Sequence, residues 1–489
     1  MSNSVEDETN RASLRWISSF MYDREAKRDG SYLSSVEDIR IPLGIRIQTL
    51  KSGRVSYKRW FLPLSYGHLT LREAYDYLQI VGAPQGKIPE VIRWTEGKDS
   101  HLVKQFFYGG VDLRAHDFIH ILLGRGLLPK DEAFVIGFTM GSTNRLNSMN
   151  EDAFAYIAKH HYPNAYRMDD DSRSVFLDAS KLGYISDCRP LDEVDFTPFL
   201  DMTVDEVRAR LNLKTRLLEA YYREVEQAKF PEDPASRRLL PRQRWEDPWR
   251  LDSGDGERSL ESAAAEINQL LDTSDQTFEL DEAVFEELLE RSYAGIAAHV
   301  EEQSEIARHC FEEIARVLGG EDEQANRDVA EGRWEDFGRV AKENVDKARN
   351  VVRRDVRYSF WEGRVEEGKE LRTWVHALLG RGDSPRDRAF CLGFYDGSTN
   401  RRTTYASELK LGMLQETWIS RDGLYSDDMD QVYHDGARLG YISLCEPLGE
   451  VDFESLRELP VSEARRRIGL KMGLLEAYRV DVEDRRMLL

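Results

Sequence analysis

Residues Leu122 to Arg145 read LLGRGLLPKDEAFVIGFTMGSTNR, and residues Leu378 to Arg401 read LLGRGDSPRDRAFCLGFYDGSTNR, at a constant offset of 256. Further along, KLGYISDCRPLDEVDF (Lys181 to Phe196) returns as RLGYISLCEPLGEVDF (Arg438 to Phe453), and TVDEVRARLNL (Thr203 to Leu213) returns as PVSEARRRIGL (Pro460 to Leu470), both at 257. A single inserted residue separates the two offsets, the register expected of a duplication. The period is far longer than the 20–50 residues of stacked solenoid units, so the repeats read as two whole domains. The expected layout is a first domain over 1–227, a Pro-rich linker over 228–259 and a second domain over 260–489. Pro231, Pro234, Pro241 and Pro248, followed by DSGDGERS, mark the linker.

Helical periodicity dominates. In DEAVFEELLERSYAGIAAHV, Val284, Leu288, Tyr293 and Ile296 follow the 3–4 spacing of one helix face. The fold class expected is mainly α, two tandem all-helical domains. The strand-like text at residues 39–64 (IRIPLGIRIQTL with VSYKRWFLPL) has no counterpart in the second repeat and reads as local decoration.

Composition sets the outer limits. The chain of 489 residues is 41% hydrophobic and 32% charged, a globular mixture able to fill two cores. A net charge of −21 argues against a general nucleic-acid partner, which needs a basic face to replace phosphate counterions. Cys188, Cys310, Cys391 and Cys445 form no C-x-x-C pair, usage that fits a reducing cytoplasm. The start, MSNSVEDETNR, has the character of neither a signal nor a transit peptide. No window reaches the roughly 18 apolar residues of a membrane span, while peripheral contact with the inner membrane face stays open.

The chemistry concentrates in RAHDFIHILLGRGLLPKDEAF. His116 and His120 stand four apart, so on a helix their imidazoles share one face about 40° apart, the spacing on which histidine pairs chelate a divalent ion. Gly124-Arg125-Gly126 ends that helix and Pro129 starts the next. Glu132, about one turn after the break, would then face His120 across a helix hairpin. Asp117 lies about 100° off the histidine face, and either completes the ligand set or orients a histidine. Two imidazoles with one or two carboxylates suit a divalent metal, Zn²⁺ foremost. In the second repeat His116, Asp117 and Glu132 become Arg372, Thr373 and Arg388, and only His376 is retained. Two arginines in ligand positions would repel a cation. The second repeat is therefore expected to hold no metal, and to act as a structural or pseudo-dimer partner.

H-D-x-x-H followed by eleven residues and Glu resembles the signature of the ubiquinone-biosynthesis family called coenzyme Q biosynthesis protein four. The run from Ala179 to Leu213, with R-P-L-x-x-V-D-F and V-D-E-V-R-A-R-L-N-L, is similar to that family's C-terminal part. The resemblance covers about Leu113 to Tyr222 and, in degenerate form, Ala377 to Tyr478. It implies an all-helical fold, a metal on His116, Asp117, His120 and Glu132, and an apolar groove for a prenylated aromatic precursor. It also implies oxidative decarboxylation and hydroxylation of that ring, beside other quinone-biosynthesis enzymes. The tandem repeat, the missing mitochondrial leader and the acidic extensions depart from the family pattern. Two readings of other classes stand beside this one: a non-catalytic lipid-binding scaffold, and a metal-dependent phosphohydrolase built on the His116-Asp117 dyad.

Four other features have simpler readings. G-S-T-N-R, kept in both repeats, suits close helix packing, with anion binding by Asn144 and Arg145 as the functional alternative. His160 and His161 point about 100° apart on a helix and cannot share a metal. Cys188 and Cys445 read as buried packing, and Trp245 and Trp249 as linker residues docking on a surface.

Overall fold

The computed structural model describes residues 61–79, 90–98, 100, 103–163, 167–240, 258–274, 282–319, 322–357, 366–401, 405–422 and 427–486. The chain forms two compact units, one of residues 1–242, 306–334 and 477–489, the other of 243–305 and 335–476. Every regular element among the described residues is helical, as the periodicity predicted. No described helix is long and apolar enough to cross a membrane. The strand-like stretch lies outside the described residues up to position 60. Its last residues, 61–64, form no strand. Trp245 and Trp249 also lie outside.

The first repeat runs through α1 (Leu71–Gln79), α2 (Glu90–Glu96), α3 (Leu113–Leu123), α4 (Pro129–Ser142), α5 (Ser148–His160), α6 (Asp170–Ile185), α7 (Val204–Arg210) and α8 (Thr215–Tyr221). Its core is an α4–α6 pair packed at backbone contact. Gly137 and Gly141 of α4 lie one turn apart, and a Cβ on them would come within 2.4 Å of the Phe176 carbonyl oxygen and 1.9 Å of that of Ser180. Gly183 of α6 returns the contact, its missing Cβ lying 2.3 Å from the Phe138 carbonyl oxygen. Only hydrogen fits in these three places. Phe134, Phe138, Phe154 and Phe176 fill the space around the contact.

After α9 (Leu260–Ser274) come two long helices, α10 (Glu282–Gly319) and α11 (Glu323–Arg357). The second repeat then continues through α12 (Glu366–Leu379), α13 (Pro385–Thr399), α14 (Tyr405–Asp422), α15 (Asp427–Ser443), α16 (Val461–Arg467) and α17 (Met472–Tyr478). Helices α3 to α8 thus recur in order as α12 to α17. The glycine contact recurs too: a Cβ on Gly393 or Gly397 would strike the carbonyl oxygen of Tyr433 or Ala437. The correspondence reaches further back than the sequence match. Thr70 bridges Thr203 ahead of α1, and Ser259 bridges Pro460 ahead of α9. The Leu71 amide donates to the Met202 carbonyl (2.9 Å), as Leu260 does to Leu459 (2.7 Å).

The G-S-T-N-R segment serves this packing. Ser142 Oγ donates to the Thr139 carbonyl (2.7 Å) and accepts from the Leu191 amide (3.1 Å). Asn144 adopts a left-handed backbone (φ 56) and Arg145 pairs in the open with Glu193 (3.4 Å). All four cysteines are free and buried. His161 packs its ring on Phe311 (5.6 Å) and His160 on Tyr156 (4.4 Å), and neither joins a metal-ligand cluster.

Residues 228–240 do not behave as a free linker. Asp233 caps one helical turn (Pro234–Arg237), and Leu239 is fully buried in the first unit. Prolines there start and stop short turns that pack.

Gly141→Ala should cost about 1–3 kcal/mol in urea unfolding, because the added methyl meets backbone rather than a flexible side chain. Gly295→Ala, in α10 with nothing within 4 Å of the place its Cβ would take, should instead stabilise by about 0.5–1 kcal/mol. Equal effects at both positions would refute the contact.

Candidate metal centre

Helix α3 begins at Asp112, whose carboxylate accepts from the Ala115 amide (2.8 Å), and ends at Gly124 in the left-handed conformation (φ 65). Its eleven residues put His116 and His120 one turn apart on the side facing α4. The reversal at Gly124 is held from three directions. Arg208 of α7 is buried and donates through Nε to the Leu122 carbonyl (2.9 Å) and through Nη1 to that of Leu64 (2.8 Å). The Tyr222 hydroxyl donates to the Leu123 carbonyl (2.6 Å). Arg125 is buried between the Phe134 and Tyr222 rings and is paired through both terminal nitrogens with buried Glu226.

Glu132 sits in the first turn of α4. That turn is fixed by the residues expected as linker: Lys130 pairs with Asp233 (2.8 Å), and Asp131 with Arg238. The result is a close cluster. Ligand atoms of His116, His120 and Glu132 all lie within 4.8 Å of one another. Glu132 Oε2 is 3.3 Å from His120 Nε2 and 3.7 Å from His116 Nε2. The imidazoles stand nearly perpendicular (82°), centroids 4.7 Å apart. His120 is fully buried, whereas the Glu132 side chain keeps 25% of its surface exposed, so the cluster has one open edge.

Three of the four residues predicted from the motif are thus brought together, and Asp117 is not one of the cluster. Its position off the histidine face leaves it acting through charge. Burial, with the nearby Glu132 and Asp112 carboxylates, pushes its carboxyl up to about 7 against the pull of His120.

The two histidines differ. Burial, helped by His120, holds His116 at about 4 despite Glu132, so it is neutral at physiological pH. Burial also lowers His120, but the charge and hydrogen bond of Glu132, with Asp117 and Asp131, outweigh it and raise the group. His116 Nε2 is buried with no hydrogen-bond partner. Such an orphan costs about 1–3 kcal/mol. A divalent cation among two imidazole nitrogens and a carboxylate would satisfy it, and this donor set with an open side fits such an ion.

Glu96, at the end of α2, escaped the motif reading. Its Oε1 accepts from Tyr162 (2.6 Å), whose hydroxyl is also bonded to Thr95. Burial pushes its carboxyl up to about 8, against the Tyr162 hydrogen bond and with a contribution from the Glu132 charge. It is a proton-carrying acid within electrostatic reach of the cluster. No local pattern in the sequence could have joined it to residues so far along the chain.

The second repeat keeps the frame without the ligands. Arg465 donates to the carbonyls of Leu378 (2.7 Å) and Ala377 (3.4 Å), as Arg208 does around Leu122. No ligand cluster forms there among the described residues. Compared with family models, with curated proteins and with solved structures, the chain gives no match.

Because a proton on raised His120 competes with a metal for Nε2, cation affinity should fall about tenfold per pH unit below the His120 pKa. His116 adds no further loss until pH approaches about 4. Chelator-competition titrations with Zn²⁺ between pH 5 and 8 would show this, and an affinity flat across that range would contradict it.

Proposed function

We propose that the chain is a tandem duplication whose first copy is a metal-dependent enzyme, with a divalent ion held by His116, His120 and Glu132. One observation carries this reading: two imidazole nitrogens and a carboxylate converge within 4.8 Å on one open-edged spot, with His116 Nε2 buried and unpartnered. When bound, the ion supplies Lewis acidity toward a carboxylate or phenolate oxygen. The protein's own groups do the rest. Neutral His116 and Glu132 bind, buried His120 fixes the position, and Glu96, steadied by Tyr162, holds a proton beside them. Asp117 tunes the charge of the cluster.

The substrate class, a prenylated or otherwise apolar aromatic acid of quinone-type biosynthesis undergoing decarboxylation and hydroxylation, is supported by the resemblance of H-D-x-x-H…E and of the segment through Leu213. Zn²⁺ is the metal the donor set favours.

Elemental analysis of the purified full chain should find about one divalent metal per chain, lost in the His116→Ala/His120→Ala double variant and retained in Arg388→Gln. Wild-type metal content in the double variant would sink the metal site. Solvent extracts of the chain, followed by incubation of the metal-loaded protein with a prenylated aromatic acid, test the substrate. Bound prenylated aromatics without turnover would favour the scaffold role over the enzyme.

A further inference from the structure

Two long helices, α10 and α11, separate α9 from α12, and their tip does not belong with the repeat that carries it. Residues 306–334, the end of α10 and the start of α11, are part of the first unit, whereas the rest of both helices is part of the other. The tip turns Ala307, Cys310, Phe311 and Ile314 inward at the 3–4 spacing of one helix face, and each is fully buried. Phe311 makes the contact with the first repeat. Its ring meets Tyr156 of α5 edge-on (centroids 5.7 Å) and lies tilted against His161, the residue that caps α5 (5.6 Å). Trp334 of α11 stands behind it at 6.1 Å.

His161 brings a titratable ring to this apolar contact. It is 5% exposed, and its Nε2 is buried with no hydrogen-bond partner. Burial holds it at about 4, with help from Arg333 of α11, its neighbour His160 and Arg167 ahead of α6, none of them a carboxylate. In the closed state the imidazole therefore serves as a neutral ring against Phe311. An imidazolium there would be a buried charge without a counter-charge, which desolvation disfavours. Once the tip leaves, water reaches the ring and its ordinary value near 6.5 returns. The closed state thus binds fewer protons than the open one. Linkage gives the sign: docking is at full strength above about 6.5, weakens by about tenfold per pH unit below it, and levels off near about 4.

We propose that the α10–α11 tip is a clasp on the end of α5 that opens in acid, with His161 as the group that releases it. Tyr162, the next residue, is 2% exposed and supports Glu96 through its hydroxyl (2.6 Å), so the clasp closes on the corner that carries this acid's partner. The clasp itself does not depend on the metal reading.

The test places spin labels on the full chain at Arg189→Cys, exposed on the first repeat, and at His309→Cys, whose side chain is 60% exposed on the tip. The four native cysteines are buried, so labelling is confined to the two new sites. Tyr156→Ala is added to weaken docking while keeping His161 on Phe311. Electron–electron distances should then resolve a short closed population and a longer open one. Their open-to-closed ratio should rise about twentyfold from pH 7 to pH 5. Adding His161→Phe, which keeps a ring but takes up no proton, should hold the ratio within about twofold across that range. His160 remains in both chains, so its own titration cancels from the comparison. An absence of any open population at pH 5, or a ratio that rises as steeply in the His161→Phe chain, would overturn the proposal.

Discussion

A guanidinium buried against the end of a helix holds the rest of each repeat in place. The last carbonyls of any helix lack partners and carry the negative end of its dipole, so they ordinarily face water or a cap. Arg208 brings two donating nitrogens, Nε and Nη2, to the end of α3 from α7, and Arg465 does the same for α12 from α16. The helix can therefore stop inside the protein rather than at its surface. His120, one turn before that end, is buried because the end is buried. The chain then turns back through Gly124 with room for Arg125, whose own charge Glu226 neutralises. Without such a corner, α4 could not place its first turn opposite the histidines.

Much of this was legible in the sequence, and for local reasons. The four-residue spacing of His116 and His120, the glycine break and the proline start are all features of one continuous segment. They follow from helix geometry alone. What escaped reading depends on contacts between distant segments. Arg208 sits in an amphipathic helix where an arginine ordinarily points to solvent, and only the fold turns it inward. Asp233 and Arg238 lie among prolines that suggest a tether, yet they lock the turn that carries Glu132. Glu96 has no motif around it. Even the equivalence of α1 and α9 rests on backbone hydrogen bonds, which any sequence can make, so no residue identity records it.

The two repeats build the same helix hairpin under different displayed side chains. Gly124 and Gly380 take the same left-handed turn (φ 65 in both), and glycine contacts seal both helix pairs. On that common frame, one hairpin gathers neutral nitrogen and negative oxygen, the other two permanent positive charges. Burial acts on both in the same direction, holding His116 and His376 each at about 4. The neighbouring charges decide what each cluster can receive.

The segment joining α1 to α3 is short and carries α2, with Glu96 at its end. The corresponding join from α9 to α12 is the pair of long helices α10 and α11. The second repeat therefore differs from the first in this inter-helix segment as well as in three side chains. Placing His, Asp and Glu at Arg372, Thr373 and Arg388 would give the second hairpin the side chains of the first, but not the acid at the end of α2. Two separable features therefore distinguish the hairpins: side chains on the hairpin set the sign of each cluster, and the inter-helix segment sets whether an acid such as Glu96 stands within electrostatic reach.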